Sequence, residues 1–407
     1  MDFFIVPKPI LTKSNSLMAY CLRYLKLDNN VPDPSNSEDC GLEFLSLVEE
    51  LGIETLSGGA PLFVPLSKAC LRIGAPTTST LQPKKIIFLI DRDTPPTEPY
   101  LSNMKALIDK GYTFAMENPE DIEAVRPVAS LCNYILLRYN GDCKETQDLH
   151  MEMEKVFKDH VFVASNVNNI DAYDTIVSQG YYFYEGALCT RPLLKDKGTM
   201  SPVKANRVQI LTAVQQPDFD MDEITKIVSR DPYMTISLLD LVNSPYIGLR
   251  QEVTSISQAM ALLGQKEVRK WVLTVLVRLL AEDKPSELVR LALFRAKFSE
   301  NLAKPFGLAT MSSTFFLVGL FSVLDAVLGI PMQEALDQVK VAEDVKEALV
   351  SRTGRLSVIY NLVFAYECAD WATVENMIDQ NRVQTADVLE AYLEASRWYS
   401  SLLKGVY

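Results

Sequence analysis

The sequence of 407 residues predicts a multidomain protein with an α/β, barrel-like N-terminal half and an all-α C-terminal half. Three observations carry this. Short apolar runs alternate with amphipathic helix-length segments through residue 192. A stretch with several charges, Gly198 and Pro202 then breaks the pattern. Beyond it the apolar spacing is helical throughout.

In the first half, strands are expected at residues 3–6, 62–66, 86–90, 112–116, 133–137 and 160–165. Helices are expected at 41–51, 99–110, 119–129, 145–158 and 168–179. Alternation at this spacing implies a mostly parallel sheet and is compatible with a closed (β/α) barrel. The boundaries that follow are a barrel domain over 1–192, a linker over 193–206 and a helical domain over 207–407.

The second half is punctuated by caps. Asp220 and Glu223 form a capping box, Asp231-Pro232 supplies an N-cap and a first helical residue, and Ser255 with Gln258 forms a second box. Gly264 closes one helix and Asn243-Ser244-Pro245 ends another, with Asn243 expected in a left-handed conformation. Short, well-capped helices indicate a compact bundle rather than a coiled coil.

Composition excludes several classes. The net charge is −12 and neither half is basic, so a non-specific duplex binder is not expected. Lys266, Arg269, Lys270 and Arg278 read as the wet face of one helix. Seven cysteines, an odd number without a C-x-x-C pair, fit a reducing, cytoplasmic compartment. The opening MDFFIVPKPI has neither the basic region nor the apolar run of a signal peptide. Residues 314–330 are apolar over nearly a membrane thickness, but Asp325 interrupts them and Pro331 ends them. A buried core helix is expected there and no membrane partner. His150 and His160 flank an acidic helix, where a metal pair with Glu152 or Glu154 is one reading. An exposed helix end and a strand start is the preferred one.

The segments VPKPILTKSNSLMAYCLRY (6–24), ALIDKGYTFAMENPED (106–121) and GYYFYEGALCTRP (180–192) resemble, in order and spacing, the EAL domain family of cyclic di-GMP phosphodiesterases. That resemblance implies an EAL-type barrel and a two-metal phosphodiester site. Mg²⁺ or Mn²⁺ there needs hard oxygen ligands. Matched onto this chain, the ligand and catalytic positions fall on Cys21, Pro65, Phe88, Glu117, Asn118, Leu136, Arg138, Asn168 and Glu185, so most carboxylates are gone. Apolar groups at Phe88 and Leu136 would face the place where charge should lie.

The segments ITKIVSRDPYMTISLLDLVNSPYIG (224–248) and VTSISQAMALLGQKEVRKWV (253–272) resemble the HDOD domain, a relative of HD-type metal phosphohydrolases. ELVRLALFRAKFSENLAKPFG (287–307), FFLVGLFSVLDAVLGIPMQEAL (315–336) and AYECADW (365–371) extend the likeness to two-domain EAL–HDOD proteins of the YuxH-like group. The His and His-Asp ligands of HD enzymes would fall on Ala296 and on Ser322-Val323. Residues 161–407 hold no histidine, so an HD metal site cannot be assembled.

The function this implies is a non-catalytic bacterial signalling protein with no catalytic, cofactor or metal residues. It would act through other signalling proteins or as a homo-oligomer, with Asn243, Ser244 and Pro245 near the partner surface. The alternative is a sensor that binds cyclic di-GMP in the degenerate barrel without cleaving it.

Overall fold

A computed structural model describes residues 3–28, 31–32, 40–78, 81–119, 121–139, 143–167, 170–186, 202–216, 218–243 and 253–404. The chain divides into two compact units. The first holds Met1–Cys189 and Tyr366–Glu375, and the second holds Thr190–Ala365 and Asn376–Tyr407.

The strands of the first unit are β1 (Phe3–Thr12), β2 (Leu17–Asp28), β3 (Val31–Pro32), β4 (Leu62–Pro65), β5 (Ile86–Asp91), β6 (Thr113–Glu117), β7 (Tyr134–Arg138), β8 (Val161–Ser165) and β9 (Phe183–Glu185). Their order is β1-β9-β8-β7-β6-β5-β4-β2-β3, and a β1–β2 pairing closes the circle into an eight-stranded barrel that leaves β3 at its edge. From β2 through β4 to β9 the neighbours run parallel, whereas β1 is antiparallel to both β2 and β9. The reversed first strand follows from its connection: four residues separate β1 and β2, enough for a hairpin but too few for a crossover. Between the strands lie α1 (Gly41–Ser57), α2 (Lys68–Arg72), α3 (Tyr100–Asp109), α4 (Ile122–Ala129), α5 (Cys143–Val156) and α6 (Ile170–Ser178).

Alternate residues of each strand point inward. Ile10, Ala19, Cys21, Phe63, Ile87, Leu89, Ala115, Leu136 and Val163 form one buried cluster that fills the barrel. The other face of β5 carries Phe88, packed on Tyr112 and Phe114 with ring centroids 5.0 and 5.8 Å away.

The second unit begins with α7 (Pro202–Gln215), so residues 202–206 of the expected linker are already helix. It continues through α8 (Met221–Arg230), α9 (Pro232–Val242), α10 (Ile256–Leu280), α11 (Ser286–Leu302), α12 (Ser312–Phe321), α13 (Leu324–Leu328), α14 (Met332–Val339), α15 (Glu343–Lys346), α16 (Ser357–Glu367), α17 (Trp371–Asn381) and α18 (Thr385–Lys404). Among the described residues no strand lies beyond residue 202, and no helix is long and apolar enough to cross a membrane. The caps are made as the sequence requires. Asp220 accepts from the amides of Asp222 and Glu223, Asp231 from those of Tyr233 and Met234, and Ser255 from that of Gln258. Gly264, at φ +70°, kinks α10 rather than ending it.

Residues 366–375, the end of α16 and the start of α17, belong to the first unit and not to the helical one. Phe4 stacks on Trp371 at 5.6 Å and meets Tyr366 edge-on at 5.4 Å. The Tyr366 hydroxyl accepts from the Ile5 amide and donates to its carbonyl, both at 3.3 Å. The simple boundary drawn through 193–206 therefore misassigns ten residues, because sequence patterning registers an aromatic helix without showing where it packs.

Candidate functional site

In a parallel barrel, side chains at the carboxyl ends of the strands define the mouth where chemistry is built. Here that end carries Pro65, Glu117, Arg138 and Glu185, with Arg23 brought alongside by the pairing of Cys21 with Phe63. The guanidinium of Arg23 reaches both remaining carboxylates. One amino group lies 2.8 Å from Glu117 Oε1 and 3.0 Å from its Oε2, and the other lies 2.8 Å from Glu185 Oε2. Lys8 adds a second cation 3.7 Å from Glu185. Glu185 is 2% exposed. Burial pushes its carboxyl upward, yet Arg23 and Lys8 together hold it below the usual carboxylate range. Such a fork matches carboxylates two at a time, as a divalent cation would, but brings no exchangeable water to activate.

The positions flagged from the sequence fall as follows. Cys21 is fully buried beneath Arg23, and burial drives its thiol well above the ordinary range, so it supplies no thiolate. Leu136 belongs to the barrel interior, whereas Phe88 does not. This corrects the expectation for Phe88: the inward residues of β5 are Ile87 and Leu89, which also lack a carboxylate. Asn118 sits at φ +47°, where its amide donates to the Leu136 carbonyl and its Oδ1 accepts from the Arg138 amide, a backbone role. Asn168 lies outside the described residues. Gly186 is required where it stands, because a Cβ there would come within 1.8 Å of the Val167 carbonyl oxygen. Sequence reading missed Arg23 and Lys8. The signal was available, since Arg23 is two residues beyond Cys21 on the same strand face.

In the helical unit, Ala296 and Val323 are fully buried and Ser322 nearly so. Arg295 donates to the Ser322 hydroxyl at 3.1 Å, and that hydroxyl donates to the Gly319 carbonyl at 2.7 Å. A Cβ on Gly319 would lie 2.3 Å from the Arg295 carbonyl, so α11 and α12 are in backbone contact where a metal pocket would need space. Asp325, close by, is pushed up to about 6, mainly by burial. Among the described residues no cluster of three His, Cys, Asp or Glu side chains is arranged to hold a metal ion.

His150 is not the exposed helix end expected of it. It is 4% exposed, stacked on Tyr181 at 4.0 Å and edge-on to Phe162 at 4.9 Å, and burial lowers its imidazole below the ordinary value. His160 receives or gives a 2.9 Å hydrogen bond at the Ala129 carbonyl.

Asn243 closes α9 with φ −86°, not left-handed. Its Nδ2 donates to the Val253 carbonyl at 2.8 Å and its Oδ1 accepts from the Val253 amide at 2.7 Å. Ser244 and Pro245 lie outside the described residues.

Comparison with known proteins agrees with both halves. The HDOD domain model matches residues 200–352. The uncharacterized protein YuxH of Bacillus subtilis (strain 168) is 24% identical over 417 residues, covering 99% of each chain. The cyclic di-GMP phosphodiesterase CdgJ of Vibrio cholerae serotype O1 is 30% identical over 237 residues, 58% of this chain and 55% of that protein. Among solved structures, the FimX EAL domain from Pseudomonas aeruginosa bound to c-di-GMP aligns with a TM-score of 0.35 and 16% identity, over 46% of this chain and 88% of that one.

Proposed function

We propose that this EAL–HDOD two-domain protein has a regulatory, non-hydrolysing role in cyclic di-GMP signalling, exerted through contacts with other signalling proteins. The single observation that carries the reading is Arg23. Its guanidinium bonds both carboxylates, Glu117 and Glu185, that remain at the barrel mouth. A divalent ion would have to displace a buried, charge-assisted pair from an acceptor set already reduced by Cys21, Pro65 and Leu136. The helical half supports the reading in the same way, with Ala296, Ser322 and Val323 packed in place of ligands.

The experiment is incubation of the full-length protein with cyclic di-GMP and millimolar Mg²⁺ or Mn²⁺. The expected result is no linear dinucleotide. Turnover would overturn the proposal. Calorimetry on the same samples tests the sensor alternative: micromolar binding without turnover would make the barrel a receptor for the dinucleotide instead.

A further inference from the structure

The helical unit contains a cleft of about 900 Å³, within the size range of small-molecule sites, roughly 300–1,000 Å³. One wall is α10 from Leu263 to Leu279 and another is α9 from Tyr233 to Leu241. None of Ala296, Ser322 or Val323 lines it. The cleft is thus separate from the position of the lost HD ligands.

Most of its charges are already matched. Lys270 pairs with Glu300 and Glu267, Lys297 with Glu300, and Arg207 with Glu282. Two are not. Among the described residues, Asp240 has neither hydrogen bond nor ion pair, and Arg278 has only the face of the Tyr233 ring, 5.6 Å from its centroid. Asp240 is no helix cap, and the packing of α9 rests on Met234, Leu238 and Val242 instead.

The two free charges are ordered along the cleft. Arg278 lies against Tyr233, and the Trp271 indole donates to Ser237 at 3.4 Å, which makes α9 and α10 antiparallel. Tyr233 and Asp240 are seven residues apart, about 10 Å along the helix axis. One wall therefore reads guanidinium, aromatic ring, carboxylate, over about 10 Å.

We propose that this cleft binds a guanine mononucleotide, with the base against Trp271, its N1–H and 2-amino group on the Asp240 carboxylate, and its phosphate on Arg278. The inference does not depend on the reading of the barrel. An ionised carboxylate only accepts hydrogen bonds and has two oxygens to offer. The guanine edge presents two adjacent donors. Adenine presents one donor beside a ring nitrogen whose lone pair would face the carboxylate. A guanidinium takes a phosphate through two parallel bonds.

The test is calorimetry of the full-length protein with GMP, AMP and cyclic di-GMP, on wild type, Asp240→Asn and Arg278→Gln. The expected result is micromolar GMP binding and AMP at least tenfold weaker. Asp240→Asn should abolish that preference, and Arg278→Gln should weaken both mononucleotides about tenfold. No heat with millimolar GMP, equal binding of GMP and AMP, or unchanged binding by Asp240→Asn would overturn the proposal. Tighter binding of cyclic di-GMP than of GMP would overturn the mononucleotide assignment. Should Arg278→Gln fail to fold, Arg278→Lys replaces it. That variant must weaken GMP while leaving guanosine unchanged, and loss of neither would count against the phosphate contact.

Discussion

Arg23 and Glu185 meet at 2.8 Å across the mouth of the barrel, a pair made by β2 and β9, which are not neighbours in the sheet. The carboxylate is buried and the guanidinium is shared with Glu117. Removing the cation alone leaves a buried charge uncompensated, and this typically costs about 3–5 kcal/mol. Arg23→Ala is expected to lower stability by that order in urea denaturation. Replacing Arg23, Glu117 and Glu185 together by Met should be far milder, or even stabilising. Equal losses for the single and triple variants would mean the pair is not what holds the mouth.

The same pair sets an acid response. The folded Glu185 carboxyl lies below its ordinary value of 4.5, so the unfolded chain binds more protons in that range. Its contribution is fully present above about pH 4.5 and is lost as pH falls through the lower folded value. Melting followed from pH 6 to pH 3 should therefore show a fall that Glu185→Gln flattens. A Gln variant with an unchanged slope would assign the acid sensitivity elsewhere.

Asp325 runs the other way. Its folded value of about 6 lies above the ordinary 3.8, so the folded state holds the proton more tightly. Its contribution to stability is present below pH 3.8 and is lost as pH rises through about 6. Asp325→Asn should raise stability at pH 8 by roughly 1–3 kcal/mol and change little at pH 4. A loss of stability at pH 8 would show that the acceptor role of Asp325 toward the Ala326 amide outweighs the cost of its charge.

What the sequence disclosed and what it concealed follow from the range of the physics involved. Period-two and period-3.6 patterning is local, so β4 to β8 and the capped helices α8 and α9 were legible within a residue or two. β2 was not assigned, because Leu17–Asp28 mixes charged and apolar residues that face both the barrel and the mouth. Loss of the metal ligands could be read from residue identity, since no imidazole means no HD site. Occupation of the mouth by Arg23 could not, because the partners lie 94 and 162 residues away. The one-residue displacement at Phe88 shows the limit of matching strands by eye: a single step moves a side chain to the opposite face.

The placement of residues 366–375 predicts a defect in a truncated barrel. Phe4 is fully buried with Tyr366 and Trp371 over it. A fragment ending at residue 192 loses both rings and leaves the Ile5 backbone without its hydroxyl partner. It should melt below the barrel of the intact chain and bind a hydrophobic dye in proportion. Trp371→Ala in the full chain should reproduce part of the loss, on the order of 2 kcal/mol for a half-buried ring. A fragment as stable as the parent barrel would mean that this aromatic cluster adds nothing.

Asn243 decides how the chain after α9 is held. The sequence placed it near a partner surface, together with Ser244 and Pro245. Its side chain instead makes two hydrogen bonds to one residue, Val253, and so fixes both ends of the intervening segment. A partner that needed the Asn243 amide would have to break both bonds. Each is worth about 0.5–1.5 kcal/mol net, so Asn243→Ala should cost roughly 1–3 kcal/mol. Asn243→Asp keeps the acceptor for the Val253 amide but loses the donor, and should fall between. The check is chemical denaturation beside partner capture at a temperature where every variant is folded. Capture that drops tenfold in Asn243→Ala with unchanged stability would return the residue to the interface. Stability that drops while capture by the folded fraction holds would establish it as the clasp of the loop.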